Sequence, residues 1–160
     1  MNIEIRKLTN GDLDQFISLI NVFEDVFEMV DFHIPPGEYL QQLLQKDTFS
    51  VFVAILNDEV IGGLTAYTLE TYYTKGSYLY IYDLAVLAKH QRQGIGKKLM
   101  KAVVDHYRES SVEEVFVQAD LVDDYAIDFY RSTGAREENV VSFSYMLKGL
   151  TINFLLVYYK

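Results

Sequence analysis

The chain has 160 residues, half of them hydrophobic, with two prolines, no cysteine and a formal net charge of −9 from 23 Asp and Glu against 14 Lys and Arg. That length suits a single domain, residues 1–160, able to bury one core without metals or disulfides, and the missing cysteine excludes thiolate zinc sites and cysteine nucleophiles. The acidic balance argues against a nucleic-acid partner, whose affinity rests on neutralised phosphates, and favours either a cationic ligand or simple solubility.

The opening stretch "MNIEIRKLTNGDLDQ" has no apolar core of signal-peptide length, and no later run approaches the ~20 residues of a membrane span. The expectation is a cytoplasmic protein without a membrane partner. "NIEIRKL" alternates as a strand, and "TNGDLDQF" supplies a turn and a helix start. From Leu13, the apolar Phe16, Ile17, Ile20, Phe23 and Phe27 recur every three or four residues, which predicts a helix to about Val30, with Asp14, Glu24, Asp25 and Glu28 on its other face. The Pro-Pro break in "HIPPGEYLQQLLQKD" opens a second, shorter helix.

"FSVFVAILNDEVIGGLTAYTLE" reads as a hairpin around an Asn57-Asp58 turn. "GSYLYIYDLAVL", "EEVFVQAD" and "VVSFSYML" are further strand-like runs, rich in Val, Tyr and Phe. Between them, Ile95, Leu99, Val103 and Tyr107 mark one helix, over 95–109, and Ala126, Phe129, Tyr130 and Thr133 another. A helix joining two neighbouring strands suits a parallel pair, whereas the hairpin is antiparallel, so the sheet is expected to be mixed.

The middle of the chain, "AKHQRQGIGKKLM", carries Gly94 and Gly96 between a strand ending near Val86 and a helix opening near Gly94. Free backbone N–H groups at that helix start, beside Arg92, make an anion site. Glycine also removes the Cβ atoms that would hold a phosphate away. Two spaced glycines alone equally suit a tight strand-to-helix turn. A P-loop and a dinucleotide fingerprint both fail, the latter because Leu99 stands where a third glycine is needed. The pattern that does match is Q/R-x-x-G-x-G/A, filled by Gln91, Arg92, Gln93, Gly94, Ile95 and Gly96.

Asp83 is a lone carboxylate within an apolar strand. Strict alternation sends it to the face of Ile81 and Ala85, away from Tyr80, Tyr82, Leu84 and Val86. An unpaired carboxylate there is costly, so it should meet a cation or a hydrogen-bond network, unless it turns out at a sheet edge. His33, His90 and His106 are too scattered to support a Ser-His-Asp triad. Asp120, Asp123 and Asp124 end one strand and open the next helix, where one of the last two also suits an N-cap, and Glu24, Asp25, Glu28 and Asp31 crowd the first helix.

The Gln91–Gly96 motif resembles that of the GNAT superfamily of N-acetyltransferases, and "AIDFYRSTGA" is similar to the family's A-x-x-[LF]-Y-x-x-x-G stretch. The resemblance implies an α/β (α+β) GNAT fold: a mixed, mostly antiparallel sheet with a splayed parallel pair and flanking helices. It implies acetyl-coenzyme A as co-substrate and no metal. Leu84, Ala85 and Val86 would lie along the pantetheine arm, with an N–H of Leu84 or Val86 donating to the thioester oxygen. Gln91, Arg92, Gln93, Gly94, Ile95, Gly96 and Lys97 would hold the diphosphate, and Tyr130 takes the place of the family's usual acid. With Asp83 as base, transfer would be direct within a ternary complex.

"LYIYDLAV", "HQRQGIG", "VQAD", the Asp123-Asp124 pair and "GAREE" further resemble the aminoglycoside 3-N-acetyltransferases, a resistance branch of that superfamily. This implies that Tyr82 and Asp83 border the acceptor amine, while Glu28, Asp120, Asp123 and Asp124 hold the acceptor's other amines. The alternatives are a polyamine, small-amine or protein-amine acceptor, or a module that binds acetyl-coenzyme A without catalysis. The apolar tail "KGLTINFLLVYYK" reads either as a strand shared with a partner, giving a homodimer, or as one more strand on the same core.

Overall fold

A computed structural model of the chain describes residues 2–147. Among these, β1 (Glu4–Lys7), β2 (Phe49–Leu56), β3 (Glu59–Glu70), β4 (Ser77–Val86) and β5 (Val112–Val117) form one sheet in that spatial order. The first four pair antiparallel, and β4 pairs parallel with β5. The β2–β3 hairpin turns at Asn57 and Asp58, both left-handed with φ of 50° and 66°. Short polar side chains tolerate that conformation, and the turn it makes follows the twist of the strands.

Two helices cover one face of the sheet. On α1 (Leu13–Val26), Phe16, Leu19 and Phe23 bury against Val51, Val53 and Ala85, and α2 (Gly37–Leu44) adds Leu40. The opposite face receives α3 (Ile95–Tyr107), the crossover from β4 to β5, whose Ile95, Leu99 and Val103 pack on Phe52, Leu64 and Ile81. Each fully buried leucine, such as Leu19, Leu64 or Leu99, contributes roughly 1.5–3 kcal/mol of transfer free energy. After β5 comes α4 (Asp124–Ser132), capped by Asp123, whose carboxylate accepts the Ala126 N–H at 2.9 Å. The described residues therefore have the expected architecture: a mixed five-stranded α/β sheet with flanking helices.

Three expectations from sequence are corrected. The first helix stops at Val26, because Glu28 turns left-handed (φ 50°) and the Met29 N–H reaches back to the Glu24 carbonyl at 3.1 Å. That bond, with Glu28 N–H to Asp25 C=O at 3.4 Å, is the Schellman closure of a helix end. Alternation along β4 also breaks. Thr65 pairs with Asp83 but Ala66 with Ile81, which leaves Tyr82 as an extra, bulged residue. Asp83 thus shares a face with Ala85 and Tyr80, while Ile81 joins Leu84 and Val86 in the layer beneath α3.

The third correction concerns "VVSFSYML", residues 140–147, which lie in no strand, with Val141, Phe143, Tyr145 and Leu147 largely exposed. High strand propensity becomes a strand only against a partner. None pairs with this segment among the described residues. The expected role of the tail, residues 148–160, lies outside the described residues.

Candidate active site

Sheet pairing creates an opening beside the middle of β4. The parallel ladder runs only from Ser77↔Val112 to Ile81↔Val117, so from Tyr82 to Val86 no strand among the described residues lies along the β5 edge of β4. The resulting cleft of about 960 Å³ lies between β4, the end of α1, the turn before α3, the segment after β5 and α4. On its floor are Tyr82, Asp83, Leu84, Ala85 and Val86.

The bulge aims Tyr82 and Asp83 the same way. The Tyr82 ring sits edge-on to Tyr67 and Tyr80, with centroids 5.7 and 6.0 Å away. Asp83 is half-buried, and the Thr65 hydroxyl approaches its carboxylate at 3.5 Å. Burial pushes this carboxyl up from the ordinary 3.8 to about 6, because the contact to Thr65 only partly offsets the lost hydration of the charge.

At the other end, the chain passes through a 3-10 turn (Ala88–His90) and two left-handed residues, Arg92 (φ 60°) and Gly94 (φ 77°), before entering α3. The helix ladder begins with Lys98 N–H to Gly94 C=O at 3.1 Å. The amides of Ile95, Gly96 and Lys97 are therefore left outside it, at the positive end of the helix dipole. Gly94 leaves open space, with nothing within 4 Å of where a Cβ would stand. A Cβ on Gly96 would lie 2.9 Å from the Phe129 ring, so glycine there lets α4 close against the turn.

Side chains tie this turn to its surroundings. Gln91 Nε2 donates to the Val86 carbonyl at 2.9 Å, and the Arg92 guanidinium lies over the Tyr125 ring, 4.6 Å from its centroid. Tyr125 Oη donates towards Gln91 Oε1 at 3.5 Å. Sequence reasoning misses Tyr125: its partners Gln91 and Arg92 are 34 and 33 positions away, and no local pattern links them.

Of the residues expected from sequence, the cleft gathers Tyr82, Asp83, Leu84, Ala85, Val86, Gln91, Arg92, Gly94, Ile95, Gly96, Lys97, Asp120, Asp123 and Tyr130 on its wall. Tyr130 follows Phe129 on α4, their rings edge-to-face at 5.0 Å. Asp120 accepts the Val122 N–H at 3.3 Å, and Asp123 is engaged as the α4 cap. Gln93, which donates to the Lys89 carbonyl at 3.5 Å, Asp124 and Glu28 stand off the wall. No group of three His, Asp or Glu residues able to hold a metal occurs among the described residues, nor does any helix long and apolar enough to cross a membrane.

A mixed sheet whose parallel pair splays above a glycine-containing turn at a helix start is the framework of one class of acyl-transfer enzyme. The chain belongs to the acetyltransferase (GNAT) family, whose model matches residues 16–135, and is an N-acetyltransferase. Within that family it is 56% identical to an aminoglycoside acetyltransferase, meta-AAC0020, from an uncultured soil metagenomic sample, solved with trehalose and with sisomicin. The two superimpose with a TM-score of 0.89 over 91% of this chain and 97% of the other. A second soil metagenomic aminoglycoside acetyltransferase, HMB0005, is 32% identical over 92% of this chain and 100% of its own, with a TM-score of 0.84. A thialysine N-epsilon-acetyltransferase of Caenorhabditis elegans is 25% identical over 112 residues, 69% of either chain.

Proposed function

We propose that this enzyme acetylates an amino group of an aminoglycoside, at the 3-amino position by resemblance, by direct transfer from acetyl-coenzyme A within a ternary complex. The observation that carries the reading is Asp83: a half-buried carboxylate, poised near neutrality, that the β4 bulge turns into the cleft next to an exposed tyrosine. The 56% relative solved with sisomicin supports the acceptor class.

The amides of Ile95, Gly96 and Lys97, with the Arg92 guanidinium, match an anionic diphosphate in charge and donor chemistry. Leu84 or Val86 donates a backbone N–H to the thioester oxygen, where negative charge develops. Asp83 takes the ammonium proton, directly or through water, and so frees the amine nitrogen to attack the thioester carbonyl carbon. As the C–S bond breaks, Tyr130 supplies a proton to the departing sulfur, and the second proton shed by the acylated nitrogen returns through water to the Tyr130 phenolate. Asp120 and Asp123 offer carboxylates to the acceptor's remaining ammonium groups. A base with a pKa near 6 is ionised at neutral pH while remaining basic enough to act.

The reading is tested by following thiol release from acetyl-coenzyme A with gentamicin-class and kanamycin-class acceptors, alongside spermidine and a lysine peptide. Turnover with the aminoglycosides, and an NMR spectrum placing the acetyl group on the 3-amino nitrogen, is expected. Release only with spermidine or the peptide would assign the acceptor to another class, and silence with every amine would leave a coenzyme-binding module.

A further inference from the structure

The transfer chemistry leaves unused a run of aromatic rings that passes Asp83 and spans four strands. Phe49, Tyr67, Tyr82, Tyr80 and Phe116 follow one another with centroid separations of 5.0, 5.7, 6.0 and 4.9 Å. Phe49 is buried in the core, whereas Tyr82 is 50% exposed. The run therefore starts as packing and reaches the surface at Tyr82, with Tyr80 and Phe116 partly buried beside it. Tyr80 and Phe116 are paired across the parallel ladder, and their rings stack at 21°.

This surface is continuous with the cleft. Tyr82 and Gln118 both line the cleft wall, and Tyr80 Oη donates to Gln118 Oε1 at 3.2 Å. Burial and neighbouring acidic groups push the Tyr67 and Tyr80 phenols upward, so both stay neutral donors at working pH. The ring faces carry the negative lobe of the aromatic quadrupole, which attracts ammonium groups and also accepts the C–H face of a saturated ring.

A linear polyamine has no face to lay on such a surface, and a single-ring amine held at Asp83 has no second ring to place there. An amino sugar of several rings offers what the surface lacks: a broad C–H face bearing cationic groups. We propose that Tyr82, Tyr80 and Phe116, edged by Gln118, form a stacking surface for a ring of the acceptor other than the one acetylated, so that the enzyme selects amino sugars of two or more rings. The inference rests on the acceptor class given above and names specificity residues that the transfer steps do not require.

The test compares kanamycin, with three rings, and 2-deoxystreptamine, a single ring read as substrate or as competitive inhibitor, in the wild type and in Tyr80→Ala, Phe116→Ala and Tyr80→Phe. Either alanine variant is expected to raise the KM for kanamycin about tenfold, with kcat and the KM for acetyl-coenzyme A within about twofold, and to leave 2-deoxystreptamine nearly unchanged. Tyr80→Phe, which keeps the ring, should stay close to wild type even if the alanine variants fold poorly. Equal losses on both ligands, or none on either, would overturn the proposal. Loss of thermal stability with unaltered kanamycin kinetics would also overturn it, by giving the surface to a segment of this chain. Wild-type silence towards every aminoglycoside removes the acceptor class itself, whereas wild-type turnover with indifferent variants removes the stacking surface alone.

Discussion

At the scale of one residue, Asp83, the proposed base, carries a cost of burial. Its carboxyl titrates near 6 in the folded chain and near 3.8 when unfolded, because burial disfavours the charged form. The folded state therefore holds the extra proton between those values, and stability falls as pH rises from about 4 to about 6, then stays lowered above that window. Asp83→Asn removes the penalty. Urea unfolding should show the variant about 1–3 kcal/mol more stable than wild type at pH 8 and nearly equal at pH 3.5. Turnover at saturating coenzyme should fall about 100-fold or more and lose the limb that rises through pH 6 in the wild type. Equal stability at both pH values, or a limb that survives the substitution, would return Asp83 to a structural role.

At the scale of elements, the sequence shows its periodic features and hides those that depend on a neighbour. The Asn57-Asp58 turn, the crossover helix at Ile95 and the glycine turn are local patterns, and each stands where its spacing puts it. The bulge at Tyr82 is set by how β4 registers against β3, and nothing in "YLYIYDLAV" announces it. The end of α1 is a similar case, since its apolar spacing runs on past Val26 while Glu28 occupies the left-handed closing position that glycine fills most easily. That mismatch predicts that Glu28→Gly stabilises the fold by about 0.5–1 kcal/mol, seen as a higher urea midpoint at unchanged slope. Because Glu28 stands off the cleft wall while Phe27 and Met29 line it, the acceptor KM should stay within about twofold. A lower midpoint would mean that the carboxylate itself supports the turn, and a raised KM would bring Glu28 into the acceptor site.

At the scale of the whole molecule, the proposed reaction brings together two ligands of opposite sign, and the chain's charge bears on both. Within the chain's net −9, Asp83, Asp120 and Asp123 stand on the cleft wall, whereas Arg92 and Lys97 stand at the turn before α3, where the diphosphate is proposed to lie. The general field draws in a polycation over the Debye length, which is about 30 Å at 0.01 M salt and about 10 Å at 0.1 M. The coenzyme meets opposing effects, repulsion from the net charge at a distance and attraction to the turn at contact, and salt weakens both. Raising sodium chloride from about 10 mM to about 300 mM should therefore increase the acceptor KM about fivefold or more, and shift the KM for acetyl-coenzyme A by less than about twofold. Steady-state titrations of each substrate at fixed pH 7.5 read the two effects separately. A salt-independent acceptor KM would mean that the amino sugar is held by stacking and short-range hydrogen bonds alone, and that the acidity of the chain serves solubility rather than recognition.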